Sequence, residues 1–344
     1  MHLDVLIPNK LPSEQESTEN IFNVQHLEGI EFSGVNGPGL AFITENSVLC
    51  HEIRFNLTKL KNHFKNITIY DLGSLKEIKE KSIIELATYL SSYNIVPIYV
   101  GIDVKTAGSL AVENAKNITL ISNHIELIEH KSATTRVNHV AYQRHLCSLS
   151  DIYEIEENLY NAISLGKMRS FPTQLEPILR ETQILHVNLD CMRTSDAPNT
   201  KGTLPSGLNA EELCQIMKYV GTADDLDAIF LSCDIISDRH APEASLIAES
   251  IWYFMEGVNM SLQDHPSRSK DFSAFIVHSN TLENDLEFLK HNQTSKWWLC
   301  HTSESQSRHF LACSYDEYQM SVGEEVPDRL LKFLSEFENY SSEN

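Results

Sequence analysis

The stretch ILHVNLDCMRTSDAP, Ile184–Pro198, decides how this chain is read. Its first part, Ile184–Leu189, is short and rich in aliphatic side chains, which suits a strand buried on both faces of a parallel sheet. Its second part is polar and turn-forming, and in an open α/β sheet such a segment past a strand's carboxyl end is where ligands bind. Similar short runs recur along the chain: Leu40–Thr44 (LAFIT), Ile67–Tyr70, Ile95–Val100 (IVPIYV), Ile118–Ile121 and Ala228–Leu231. Between them lie stretches with apolar residues at i, i+3 and i+4: Ser82–Leu90, Asn209–Tyr219 and Pro242–Met255. Ser82 and Asn209 are read as helix N-caps, Pro242 as a first-turn residue, and Gly221 and Gly257 as C-caps. This alternation predicts one α/β domain, with helices on both faces of a mainly parallel sheet.

Composition limits the function classes. The chain has 344 residues, 27 Lys and Arg, 48 Asp and Glu, and a formal net charge of −21. Such a surface repels phosphate backbones and anionic lipid, so neither nucleic acid nor a membrane is expected as a partner. No apolar run reaches the roughly 18–20 residues of a membrane span, and the protein is read as cytoplasmic. The seven cysteines, with no CxxC pair, sit in apolar segments and are read as free thiols rather than a disulfide frame or zinc site. Residues 1–38 are expected to form an N-terminal arm. Residues 39–260 are expected to form the α/β domain, with 261–344 a C-terminal extension packed on it. In that extension FSAFIVHS (272–279) reads as a strand, Trp297–Trp298 as packed, and 326–337 as a helix.

The residues that follow the strands are the candidates for chemistry. Asp103 follows the run ending at Val100, and Ser122, His124 and Glu126 follow the run ending at Ile121. Asn188 and Asp190 close the stretch quoted above, while Ser232 and Asp234 follow Leu231. Carboxylates with one imidazole are a donor set for Mn²⁺ or Mg²⁺. The same residue types also serve as turn formers and caps. Arg144, Arg169 and Arg193 could form an anion-binding rim, or could simply pair with the excess carboxylates. The glycine-rich Gly34–Gly39 lacks a P-loop's Lys-Ser/Thr and precedes a strand, so it reads as a turn.

Taken in order, these motifs resemble the ureohydrolases, the arginase/agmatinase/formimidoylglutamase family. Val187–Asp190 through Asp196-Ala197-Pro198 resembles the family's FDIDALDPAFAP segment. Pro205–Leu208 with Glu211 or Glu212 resembles GGLTYRE. The segment from Ser232 to Met255, with Asp238-Arg239, resembles EVNPALDRDGRTA and its following helix. The Arg193–Pro198 loop (RTSDAP) and the IWYFMEG and CSYDEYQ segments look most like a divergent formimidoylglutamase-like branch. The resemblance covers about two thirds of the chain. It implies a three-layer α/β/α fold, a two-manganese cluster, hydrolysis of C–N bonds in linear amidines, and a tendency to form homo-oligomers.

Residue by residue, the implied metal site is degenerate. The family's D-x-H-x-D motif falls on Ser122, His124 and Glu126, so its first Asp is a Ser. The D-x-D motif falls on Asn188 and Asp190, so its first Asp is an Asn. The substrate-orienting Glu falls on Ser232, and the His after the third strand falls on Asp103 or Val104. Ser122 and Asn188 stand where the resemblance puts the two carboxylates that bridge both metals. Two dications about 3.5–4 Å apart repel by about 4 kcal/mol even at an effective dielectric near 80. A hydroxyl and an amide bring no charge to offset that. The expectation is therefore a pseudoenzyme that binds a small ligand or a protein partner in the old cleft, with no cofactor or a single weak Mn²⁺. The competing expectation is an active amidine hydrolase with an altered one-metal site held by Asp103, His124, Glu126 and Asp190.

Overall fold

A computed structural model describes residues 6–7 and 39–341, apart from 46, 65–66, 114–115, 129–134, 158–160, 203, 236–240, 263, 281, 283 and 304–305. Most of the expected arm at 1–38, the Gly34–Pro38 part of the glycine-rich turn, and the Asp238-Arg239 pair therefore lie outside the described residues. The first part of the chain runs β1 (Leu6–Ile7), β2 (Gly39–Thr44), α1 (Val48–Lys59), β3 (Thr68–Leu75), α2 (Glu80–Ser91), β4 (Ile95–Val100), α3 (Val104–Glu113), β5 (Ile118–Ile121) and β6 (Val137–Tyr142). It continues with α4 (Leu149–Glu157), β7 (Asn161–Ser164), α5 (Leu165–Ser170), α6 (Leu175–Arg180), β8 (Ile184–Asn188), α7 (Ala210–Val220), β9 (Ala228–Ser232) and α8 (Ala241–Met260). Its strands form one nine-stranded sheet in the order β1-β3-β2-β4-β9-β8-β5-β6-β7. All pairs are parallel except β1 with β3.

The short aliphatic runs explain this architecture. Alternate residues of each strand feed two separate cores, one on each face. One face packs Leu40, Phe42, Val187 and Leu231 against α1, α7 and α8. The other packs Ala41, Ile43, Tyr99 and Phe230 against α2 and α3. The result is the expected three-layer α/β/α arrangement with a mainly parallel sheet. Arg54 of α1 is pinned to the sheet by Asp71 of β3, with N–O distances of 2.8 and 3.0 Å, and both side chains are only 3% exposed.

Several local readings need correction. Helix α2 begins after Lys79, ahead of Ser82, which is not a cap. Gly257 lies inside α8 and ends nothing. It is small because α7 crosses there: a Cβ on it would lie 2.1 Å from the Lys218 carbonyl oxygen, and one on Gly221 would lie 2.2 Å from that of Phe254. Asn209 does cap α7, through a full capping box with Glu212. Strands β6 and β7 went unread because polar residues interrupt them. Their polar groups are satisfied across the sheet instead: Asn161 Nδ2 donates to Asn138 Oδ1 (2.8 Å), Asn138 Nδ2 to Thr119 Oγ1 (3.1 Å), and Thr119 pairs with Thr182 (2.7 Å).

The remaining residues form a second, antiparallel sheet, β10 (Phe272–Ser279), β11 (Asn284–His291), β12 (Trp297–Thr302) and β13 (Arg308–Cys313), followed by α9 (Tyr315–Val322) and α10 (Asp328–Ser341). It has its own core, in which Phe288, Trp297, Leu299 and Leu311 meet Leu330 and Phe333 of α10. Trp298 faces the other way, 1% exposed, under the guanidinium of Arg180 at 4.3 Å. Arg180 also donates to the Trp297 carbonyl (3.2 Å), and Glu181 accepts from the Ala312 N–H. Both tryptophans are thus packed. All seven cysteines are free. Among the described residues no helix is long and apolar enough to cross a membrane.

Candidate active site at the strand ends

Parallel strands end on one edge, so the residues after β2, β4, β5, β6, β8 and β9 share a rim. Gly101, just past β4, has φ +87°, and a Cβ there would collide with Glu45 at 2.4 Å. Only glycine permits that turn and brings Glu45 into the rim. The loop after β8 folds back on itself: Leu208 N–H donates to the Cys191 carbonyl (2.9 Å), and Arg193 N–H to that of Leu208 (2.9 Å). The RTSDAP and PSGL motifs therefore meet in space. Gln143, after β6, joins them by exchanging hydrogen bonds with Ser206 at 2.9 and 3.0 Å.

At the centre stands Glu126, whose side chain is 6% exposed. Asn188 Nδ2 donates to its Oε1 (3.3 Å), His124 Nε2 is 3.7 Å from Oε1, and His186 Nδ1 is 3.5 Å from Oε2. Burial pushes the Glu126 carboxyl up, but His186, Asn188 and His124 together hold it below its ordinary value. Ser232 Oγ lies 3.0 Å from the other nitrogen of His186, Nε2. Ser122 Oγ donates to the His124 carbonyl, and Asn188 Oδ1 accepts from the Asp190 N–H at 3.0 Å. Asp190 itself is half-buried; burial and neighbouring Asp234 push its carboxyl up. Asp234 pairs with Lys201 at 2.7 Å. Burial, with a smaller contribution from Asp234, also raises Glu45.

The structure thus brings together His124, Glu126, Asn188, Asp190, Ser232 and Asp234. Asp103 is exposed, and its Oδ1 accepts from Thr106 N and Oγ1 at 3.1 Å, which makes it a cap for α3. Arg193 pairs with Asp196 (2.8 Å), and Asp196 in turn accepts from the Ala210 N–H at the start of α7. Arg169 grips Glu212 with two bonds, 2.7 and 2.9 Å. Arg144 is exposed at the edge of the rim. The sequence does not single out Glu45, Lys201 or the role of His186, and His139, beside the Tyr142–Arg144 stretch, is a buried core histidine. A polar residue two before Asn188 on the same strand face was the available signal for His186. Among the described residues no group of three or more His, Cys, Asp or Glu side chains is arranged to hold a metal ion.

No family model matches the chain, and no curated protein matches it in sequence. Solved structures do. Formiminoglutamase of Trypanosoma cruzi, solved with Mn²⁺, superposes with a TM-score of 0.58 at 12% identity, over 67% of this chain and 95% of that one. Formimidoylglutamase of Bacillus subtilis gives 0.55 at 16% identity, over 66% and 89%. Agmatine ureohydrolase of Thermoplasma volcanium gives 0.51 at 12% identity, over 64% and 90%. The chain has the arginase-like fold that these ureohydrolases share.

Proposed function

We propose that this chain is a ureohydrolase homologue that has lost binuclear-manganese hydrolysis and uses the old cleft to bind a small ligand or a partner. The observation that carries the reading is the fate of the two bridging positions. The hydroxyl of Ser122 is spent on the His124 carbonyl, and the amide of Asn188 is spent on Glu126 and the Asp190 N–H. Both are neutral and both are internally satisfied, so this donor set does not fit a pair of manganese ions. The cleft keeps Glu45, Glu126, Asp190 and Asp234 against Lys201, which favours a neutral or cationic ligand over an anionic one. Seven free thiols support a reducing, cytoplasmic setting.

A one-metal variant of the hydrolase is the second reading. It is favoured by Asp190, whose Oδ1 is buried with no hydrogen-bond partner among the described residues. The test is metal content by mass spectrometry after manganese loading and desalting, with assays for urea, formamide and ammonia release. Near zero metal and no release is the expected result. Two metals per chain, or manganese-dependent release from formimidoylglutamate, arginine or agmatine, overturns the proposal. One metal per chain moves the reading to the altered hydrolase.

A further inference from the structure

The strand ends also place Ser232 and Glu126, two positions of the family motifs, on either side of His186, which no motif assigns. Ser232 Oγ is 3.0 Å from His186 Nε2, and His186 Nδ1 faces Glu126 Oε2 at 3.5 Å. Hydroxyl, imidazole and carboxylate stand in series, with the hydroxyl on one ring nitrogen and the acid on the other. A hydroxyl within hydrogen-bond reach of an imidazole is the core of an activated nucleophile, and here a carboxylate stands on the far side of the ring. At 3.5 Å the Nδ1–Oε2 approach is an electrostatic contact, and neither atom has a hydrogen-bond partner among the described residues; the hydrogen-bonded part of the series is Ser232 with His186.

The fold holds the three rigidly. His186 lies inside β8 and its side chain is 1% exposed, and Glu126 is 6% exposed. Asn188 Nδ2 fixes the other Glu126 oxygen at 3.3 Å. Parallel pairing sets Asn188 opposite Ser232, at the carboxyl ends of β8 and β9. Ser232 is half-buried and leads directly to exposed Asp234, so the hydroxyl sits at the inner wall of the rim. The Glu126 carboxylate beside Nδ1 favours the tautomer with its proton there, which leaves Nε2 free to accept the proton of Ser232.

We propose that Ser232 is a catalytic nucleophile for acyl transfer, with His186 as its base and Glu126 as the positioning residue. The substrate class is a small neutral or cationic ester. The Ser232 oxygen bonds to the acyl carbon while its proton passes to His186 Nε2. The ester C–O bond then breaks, and the leaving alkoxide takes that proton as the alcohol. Water attacks the acyl-serine, gives a proton to His186, and releases the carboxylic acid with the hydroxyl restored. No metal, oxidant or reductant enters the balance. This inference rests on the reading that no metal occupies Glu126, and the labelling of Ser232 is read out separately from manganese content.

A buried imidazole could hold the same contacts for stability alone, so the test must read reactivity. The native full-length chain is treated with an alkyl fluorophosphonate, and adducts are mapped by peptide mass spectrometry. The expected result is a single adduct on Ser232, formed with loss of fluoride and absent from heat-unfolded protein. Ser232→Ala should abolish it in a variant that keeps a cooperative thermal transition. His186→Gln should slow it by about 10²–10⁴-fold, the usual contribution of a positioned base. Glu126→Gln should slow it less while leaving the site of labelling the same. Hydrolysis of p-nitrophenyl acetate should fall in the same order. No adduct on the folded protein, an adduct at another serine, or labelling of Ser232 that is indifferent to His186 overturns the assignment.

Discussion

His139 gives the sharpest quantitative check on the packing of the site. It lies in β6, 2% exposed, on the strand next to β5. Burial drives its pKa down to about 4; Glu126 works against that shift and His124 adds to it. In the unfolded chain the same imidazole titrates near 6.5. The sign follows from proton counting. Above about pH 6.5 both states hold it neutral, and its contribution to stability is intact. Between about pH 6.5 and 4 the unfolded state binds a proton that the native state refuses, so stability falls as pH falls. The full loss is 2.5 pKa differences at about 1.4 kcal/mol each, or roughly 3 kcal/mol, and about 2 kcal/mol is already gone at pH 5. The assay is urea unfolding of the wild type and of His139→Gln at several values from pH 7.5 to 4.5. Other titrations in the window, such as Asp224, which is raised to about 6, are common to both proteins and cancel in the difference. The variant should start less stable at neutral pH and lose less on acidification, so the two curves converge. Parallel curves would refute the claim that His139 is held neutral in the fold.

The remaining predictions test the frame around the site. Asp71→Ala removes the carboxylate opposite the buried Arg54 guanidinium, leaving its charge against neutral acceptors such as the Thr44 hydroxyl and the Gly73 carbonyl, and should cost about 3–5 kcal/mol in urea unfolding. Gly257→Ala drives a methyl into the Lys218 carbonyl at the α7–α8 crossing, and should cost about 1–3 kcal/mol, read as a lower melting temperature. Asn209→Ala removes the α7 capping box and should cost about 1 kcal/mol. The double variant Ser122→Asp, Asn188→Asp places a carboxylate at both positions that the family resemblance assigns to metal bridging, and should raise manganese retention after desalting above that of the wild type.

The fold was legible because its signals are local and repeated. Short aliphatic runs such as LAFIT and IVPIYV suit central parallel strands, and both lie in the sheet with all or nearly all of their residues buried. Asn209 announced α7 three residues ahead of its partner Glu212. Strands β6 and β7 were hidden because Asn138, His139 and Asn161 look like loop residues until the polar ladder through Thr119 is seen. Gly257 was misread because a C-cap and a helix crossing demand the same residue. At the site, the residues after strands could be gathered onto one rim, but their pairings could not. Asp103 capping α3 and Arg193 holding Asp196 are facts of distance. Glu45 was invisible, because its place depends on the left-handed turn at Gly101.

Why such a site can be rewritten while the fold persists follows from where its energy lies. The two aliphatic cores form on either side of the sheet, and neither draws on the side chains of Ser122, Asn188 or Ser232. Replacing a carboxylate by a neutral group at a strand end therefore removes charge without opening a cavity. Neutral groups at Ser122 and Asn188 also keep down like-charge repulsion among Glu126, Asp190 and their neighbours. The cost is that each new neutral group needs a partner of its own. Ser122 takes a carbonyl, Asn188 takes Glu126, and Ser232 takes His186. The last of these pairs a hydroxyl with an imidazole whose far side faces the buried acid at 3.5 Å. The Ser232–His186 hydrogen bond thus has the layout of a nucleophile and its base, and the test of Ser232 asks whether it is used as one.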